Sequence, residues 1–173
     1  MKKLLLLFML VYVGTVNAQE NNKVYKNEIS IDALHLVLGN VGLSYEYLIN
    51  ENSGFGLYGE FNVDNNRAWD IDAAYGINYR LYVGSRYASG FFIEGGLGGF
   101  NTSNYYYNSK KETSFQFGPT FALGGKFVIR KQLVFQFFGG LGRNFISKDK
   151  DNSIYYEDQI IFPRFGVSIG KRF

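Results

Sequence analysis

The sequence predicts an all-β chain, a closed antiparallel transmembrane β-barrel of about eight strands, and three observations predict it. Apolar and polar residues alternate with a period of two along most of the chain. The polar phase carries charged side chains while the apolar phase is rich in rings, so the two faces of each strand are unlike. Beyond the N-terminal segment no stretch is apolar for 18 residues, which excludes a bundle of membrane helices. Strands with lipid on one side and a polar lumen on the other produce this alternation. An aromatic content of 18%, with 21 glycines and two prolines, departs from an average soluble domain and from a disordered chain.

Met1 to Ala18 reads as a secretory signal. Lys2 and Lys3 form the positive start, Leu4 to Val13 the apolar core, and Val16-Asn17-Ala18 the small-residue cleavage site. That core is shorter than the roughly 20 apolar residues of a spanning helix. Cleavage is expected before Gln19, leaving residues 19–27 as a short periplasmic segment and 28–173 as the barrel. Losing Lys2 and Lys3 takes the formal net charge from +3 to +1, which argues against a nucleic-acid partner. The chain has no cysteine, so acyl anchoring through a thiol, disulfides and thiol chemistry are excluded.

The first strand, Glu28 to Leu38, is the least regular. Leu34, Leu36 and Leu38 share a phase with Ser30 and Asp32 while His35 falls on the other, and a bulge would repair it. The next two are clean. Val41, Leu43, Tyr45, Tyr47 and Ile49 oppose Gly42, Ser44 and Glu46; Phe55, Leu57, Gly59, Phe61 and Val63 oppose Gly56, Tyr58 and Glu60. In the fourth, Trp69 to Val83, the odd positions are apolar with aromatic ends and the even ones include Asp70, Asp72 and Arg80. Phe91, Ile93, Gly95 and Leu97 then face away from Glu94, and Phe115 to Ile129 from Gln116, Thr120, Lys126 and Arg130. Leu133, Phe135, Phe137 and Leu141 oppose Gln136 and Gly140, and the last strand runs from about Gln159 to Phe173. An even count suits a barrel that starts and ends on one side, and closure leaves no unpaired edge in hydrocarbon.

Connections sort by length. Asn50 to Gly54, Gly84 to Gly90 and Lys131 to Gln132 are expected as periplasmic turns; Asn101 to Thr113 and Ser147 to Asp158 as external loops, with a tight connection near Gly39-Asn40.

The inward phase collects Glu46, Glu60, Asp70, Asp72 and Glu94 with Arg80, Lys126, Arg130 and Arg164. An eight-stranded lumen is just filled by side chains, so these are expected to neutralise one another as a structural network. A gated ion path is the sharper alternative. His35 is the one histidine, with Ser30, Asp32 and Ser44 nearby in sequence, but no spacing defines a catalytic triad. The glycine runs lack the helix and Gly-Lys-Ser/Thr ending of a phosphate loop. Asp149, Asp151, Ser153 and Glu157 lack the glycine and final glutamate of an EF-hand. No cofactor, metal or catalytic residue is assigned. Tyr105 to Tyr107, Tyr155 and Tyr156 suit an interfacial girdle or, alternatively, a contact patch.

The closing Phe165, Val167 and Ile169 alternate with Gly166, Ser168 and Gly170 before the terminal Phe173, in the manner of an outer-membrane closing strand and export signal. Together with the signal, the Val41 to Ile49 strand with its Asn50 to Gly54 turn, and the Gly76 to Arg80 strand, this resembles the small outer-membrane β-barrel families of Bacteroidetes-type bacteria, many of unknown function. The chain is also similar in size to the OmpA/OmpX-type eight-stranded barrels. The resemblance implies outer-membrane residence among lipid and lipopolysaccharide, insertion by the barrel-assembly machinery, and a structural or surface-interaction role without assigned chemistry. With nothing after Phe173, peptidoglycan tethering is not implied. A lipid-modifying outer-membrane enzyme and a soluble lipocalin-like binder are the rival readings.

Overall fold

A computed structural model describes residues 24–63, 71–105, 111–148 and 161–173. The elements are β1 (Asn27–Asp32), α1 (Ala33–Val37), β2 (Asn40–Asn50), β3 (Ser53–Asn62), β4 (Ile71–Val83), β5 (Gly90–Tyr105), β6 (Lys111–Ile129), β7 (Leu133–Arg143), β8 (Ile146–Lys148) and β9 (Ile161–Arg172). Each strand pairs antiparallel with its neighbour from β1 to β7; β7 then pairs β9, and β9 pairs β1, which closes the circuit. The three-residue β8 pairs β6 alone, carrying on the line of β7 after a break at Asn144-Phe145, so the wall has eight strands.

The two faces have opposite polarity. Rows of apolar side chains meet across the ladders, as in Tyr45↔Leu57, Leu57↔Ile77 and Ile77↔Leu97, and these residues point outward. Leu57 is 51% exposed and Phe121 54%, whereas Glu94 and Lys126 are 0% exposed. The register is therefore pinned, because a one-residue slip would turn the charged phase outward on every strand. Inward glycines make room for the rings that share the lumen. A Cβ on Gly76 or Gly98 would strike the Tyr58 hydroxyl, and one on Gly142 the Phe162 ring.

Both prolines sit where a ladder is interrupted. The Phe173 N–H reaches Asn27 O at 2.9 Å, so odd-numbered β9 residues turn their backbone groups toward β1. The β1–β9 ladder ends at Asp32↔Ser168, and Pro163 lies beyond it, where its missing N–H deprives no β1 partner. Pro119 likewise lies at the β7–β8 break, between the end of the β7 ladder at Thr120↔Gly142 and the β8 pairs at Phe115 to Phe117.

Four expectations change. The first strand stops at Asp32, and residues 33–37 form a helical turn, so the phase conflict is resolved by a helix rather than a bulge. Asp32 is its N-cap, accepting the His35 backbone N–H at 3.0 Å, and Gly39 at φ 94° turns the chain into β2. The expected loop at Asn101 to Thr113 is shorter, since β5 continues to Tyr105 and β6 begins at Lys111. Pairing through Tyr105↔Lys111 extends the ladder because polar residues tolerate strand geometry once the neighbour supplies partners. β8 carries strand structure as far as Lys148, inside the expected loop at Ser147 to Asp158, by pairing with β6. Arg130 is not on a lumen face but in the β6–β7 turn, at φ 51° and exposed. The signal, Trp69, Asp70, Tyr106, Tyr107, the Asp149 to Glu157 cluster, Tyr155 and Tyr156 lie outside the described residues.

Candidate functional site

The lumen is crossed by one chain of alternating charge. Arg164 Nη2 pairs with Glu94 Oε1 at 2.7 Å, and Glu94 Oε2 with Arg80 Nε at 2.7 Å. Arg80 Nη1 donates to Glu46 Oε2 at 2.8 Å and to the Gln136 side-chain oxygen at 2.8 Å. Glu46 Oε2 also accepts from Lys126 Nζ at 2.7 Å, and Lys126 reaches Glu28 Oε1 at 2.8 Å. Glu28 Oε2 finally accepts from Arg172 Nε at 2.9 Å. The path begins and ends on β9 and passes through β5, β4, β2, β6 and β1, so six strands are tied across the interior.

Strand alternation explains how these groups meet. Every member occupies the inward phase of its strand, and adjacent inward residues on paired strands lie directly opposite: Arg80↔Glu94 on β4–β5 and Glu28↔Arg172 on β1–β9. Burial then forces the pairing, because an isolated charge in a low-dielectric interior is costly. Four cations stand against three carboxylates, and aromatic faces support the excess: Arg164 lies 3.9 Å from the Tyr58 ring centroid, Arg80 4.6 Å from Phe92, and Lys126 4.8 Å from Tyr82. The Tyr82 hydroxyl donates to Glu46 Oε1.

Of the sequence candidates, Glu46, Arg80, Glu94, Lys126 and Arg164 share this chain. Glu60 does not belong to it. It accepts from Asn40 Nδ2 at 2.6 Å and pairs with His35 Nδ1 at 2.9 Å, nearer the loop end. Asp72 sits half-buried near the loop end of β4, and Arg130 is in the turn. Glu28 and Arg172 were missed although their inward phase was legible, Arg172 sharing it with Arg164 and Ser168. Arg172 also donates to the Tyr87 and Ala88 carbonyls at 3.0 and 2.5 Å, holding the β4–β5 connection against the turn-end mouth.

His35 is built into structure. Its ring stands edge-on to Phe165 at 5.5 Å and is held at Nδ1 by Glu60 at 2.9 Å, while the Asp32 carboxylate caps α1 and accepts from Ser168 Oγ at 3.3 Å. Burial works against the charged imidazole, but the bond to Glu60 and the charges of Glu60 and Asp32 outweigh it and raise its pKa above the usual 6.5. Above this group the lumen is filled by Phe100 and Phe162, with ring centroids 5.0 Å apart, and by the Asn144–Gln116 hydrogen bond.

No protein-family model matches the chain, and no curated protein matches its sequence. Among solved structures it is similar to the crystal structure of the N-terminal β-barrel domain of Pseudomonas aeruginosa OprF, with a TM-score of 0.60 and 12% identity over 85% of this chain and 96% of that one. At that identity the likeness establishes the architecture. The chain is a closed eight-stranded antiparallel barrel resembling the OprF domain.

Proposed function

We propose that this chain is an integral bacterial outer-membrane protein, exported by its N-terminal signal, whose barrel has a structural or surface-interaction role without catalysis. The observation that carries the reading is the polarity of the wall: exposed apolar residues outside, a buried ion-pair chain inside. A soluble ligand-binding barrel has the reverse arrangement, a polar exterior around an apolar cavity. The Arg164-to-Arg172 chain and the rings above it fill the space a wide pore would need, so the lumen acts as a brace. The His35 ring is engaged by Glu60 and Phe165, and Asp32 by the α1 cap and Ser168, contacts that favour a structural role over acyl-chain chemistry.

Fractionation of producing cells tests it, with the outer-membrane fraction run on a detergent gel boiled and unboiled. A membrane band whose mobility changes on boiling is the expected result. A soluble periplasmic band without a shift would sink the reading. His35→Ala should leave the lipid A acyl profile unaltered.

A further inference from the structure

The turn end of the wall contains a notch. β5 begins at Gly90, opposite Lys126, whereas β6 runs on to Ile129, so the end of β6 has no β5 partner. The connection at residues 84–89 does not cover this gap because it folds inward. Ala88 N–H donates to Glu51 O at 2.7 Å, Ala88 and Ser89 are buried, and Arg172 grips the Tyr87 and Ala88 carbonyls. What remains at the rim is a groove of about 590 Å³, with Ser85 and Arg86 on one bank and Phe127, Ile129 and Phe135 on the other, and with Lys126 and Val128 of the inward phase also lining it.

The two banks have different chemistry. The rings and Ile129 continue the outward apolar face of the barrel. The exposed Arg86 lines the groove, and the exposed Arg130 and Lys131 follow its lining residue Ile129 at the tip of the β6–β7 turn. Among the described residues of this end, Glu51 is the exposed acidic side chain. The turn is unusual as well. Its two central residues have φ 51° and 63°, a conformation for which Asn and Gly are the relaxed choice, yet both are basic. A strained backbone that presents two cations beside an apolar slot is a reason to look for a ligand.

We infer that this groove binds an anionic phospholipid of the leaflet at the turn end, one acyl chain lying on Phe127, Ile129 and Phe135 and the phosphodiester meeting Arg86, with Arg130 and Lys131 nearby. The inference rests on the membrane reading above. It commits to a lipid rather than free phosphate because the apolar bank has no use for an inorganic anion. A zwitterionic headgroup would bring an ammonium against the same cations.

The test is native mass spectrometry of the detergent-solubilised barrel, titrated with phosphatidylglycerol and with phosphatidylcholine of the same acyl chains. Preferential binding of phosphatidylglycerol by about five-fold or more is expected, and Arg86→Gln should bring the two lipids to parity. Ser85→Trp fills the groove without changing charge and should also abolish the preference; Lys26→Gln, on the β1 side of the rim, should keep it. Millimolar phosphate should not displace the lipid. Equal binding of the two lipids, a preference that survives Ser85→Trp, or displacement by phosphate would each overturn the inference. Gel mobility before and after boiling verifies that each variant is folded, and Arg86→Glu, which should reverse the preference, serves if Ser85→Trp does not fold. Failure of the unsubstituted chain to enter membranes would count against the membrane reading, whereas lipid parity in an inserted barrel would count against the groove alone.

Discussion

The turn-end and loop-end halves of the lumen are closed by different means. Toward the turns, all eight strands surround the interior, which holds Glu28, Glu46, Arg80, Lys126 and Arg172 in one ion-pair chain, each almost wholly buried. Toward the loops, β1 has given way to α1, and closure falls to the Phe100–Phe162 ring pair and to hydrogen bonds among Asn40, Asn62, Glu60 and His35. Where the charged groups are cut off from solvent, charge must be matched by charge. Where the wall is interrupted, buried rings and polar groups that keep slight contact with solvent suffice. The first half should therefore behave as one coupled unit and the second as separable contacts.

Glu46→Gln should cost the most, about 3–5 kcal/mol, because it strips the shared carboxylate from two buried cations. Glu60→Gln at the loop end should cost about 1–2 kcal/mol, in keeping with a partly solvated hydrogen-bond acceptor. Urea titrations read by gel mobility and tyrosine fluorescence compare the two, and equal losses would erase the distinction between the halves. Adding Lys126→Met to Glu46→Gln should recover part of the loss, since Arg80 keeps Glu94 and Arg172 keeps Glu28.

Smaller effects sharpen the picture. Asp32→Ala should cost about 1 kcal/mol by uncapping α1, with faster hydrogen exchange confined to residues 33–37. Replacing Arg130-Lys131 by Asn-Gly should stabilise the barrel by about 1 kcal/mol, since it relieves two left-handed residues. The smallest effect is one of pH. The folded state raises the His35 pKa, so the His35–Glu60 contribution is complete below about 6.5 and is lost as pH rises through the folded value. The stability difference between the unsubstituted chain and His35→Gln should shrink from pH 5 to pH 9. Growth with pH would contradict the assigned pairing.

Much of this was legible in the sequence because period-two alternation constrains both fold and lumen. The phase that puts Leu57, Ile77 and Phe121 outside necessarily puts Glu46, Arg80 and Lys126 inside. What alternation does not encode is where a strand stops. Arg130 continues the inward phase of β6, and only the turn geometry removes it from the lumen. The run from Asp32 to Leu38 is dense in leucine, and neither period fits it well; the Asp32 cap and Gly39 that make it helical are single-residue signals. Which inward charges meet depends on stagger between strands. That is why Glu28 and Arg172, far apart in sequence, become visible as a pair only through the β1–β9 register.

The most direct measurement is a cysteine scan of β4 from Ile71 to Val83, made on a chain that has no native cysteine, with a nitroxide at each position in lipid bilayers. Oxygen, which partitions into lipid, should relax the label most at odd positions such as Tyr75, Ile77 and Tyr79, with minima at Gly76, Asn78 and Arg80. Maxima at the even positions, or odd positions relaxed instead by a water-soluble nickel complex, would contradict an apolar wall facing lipid around a charged interior.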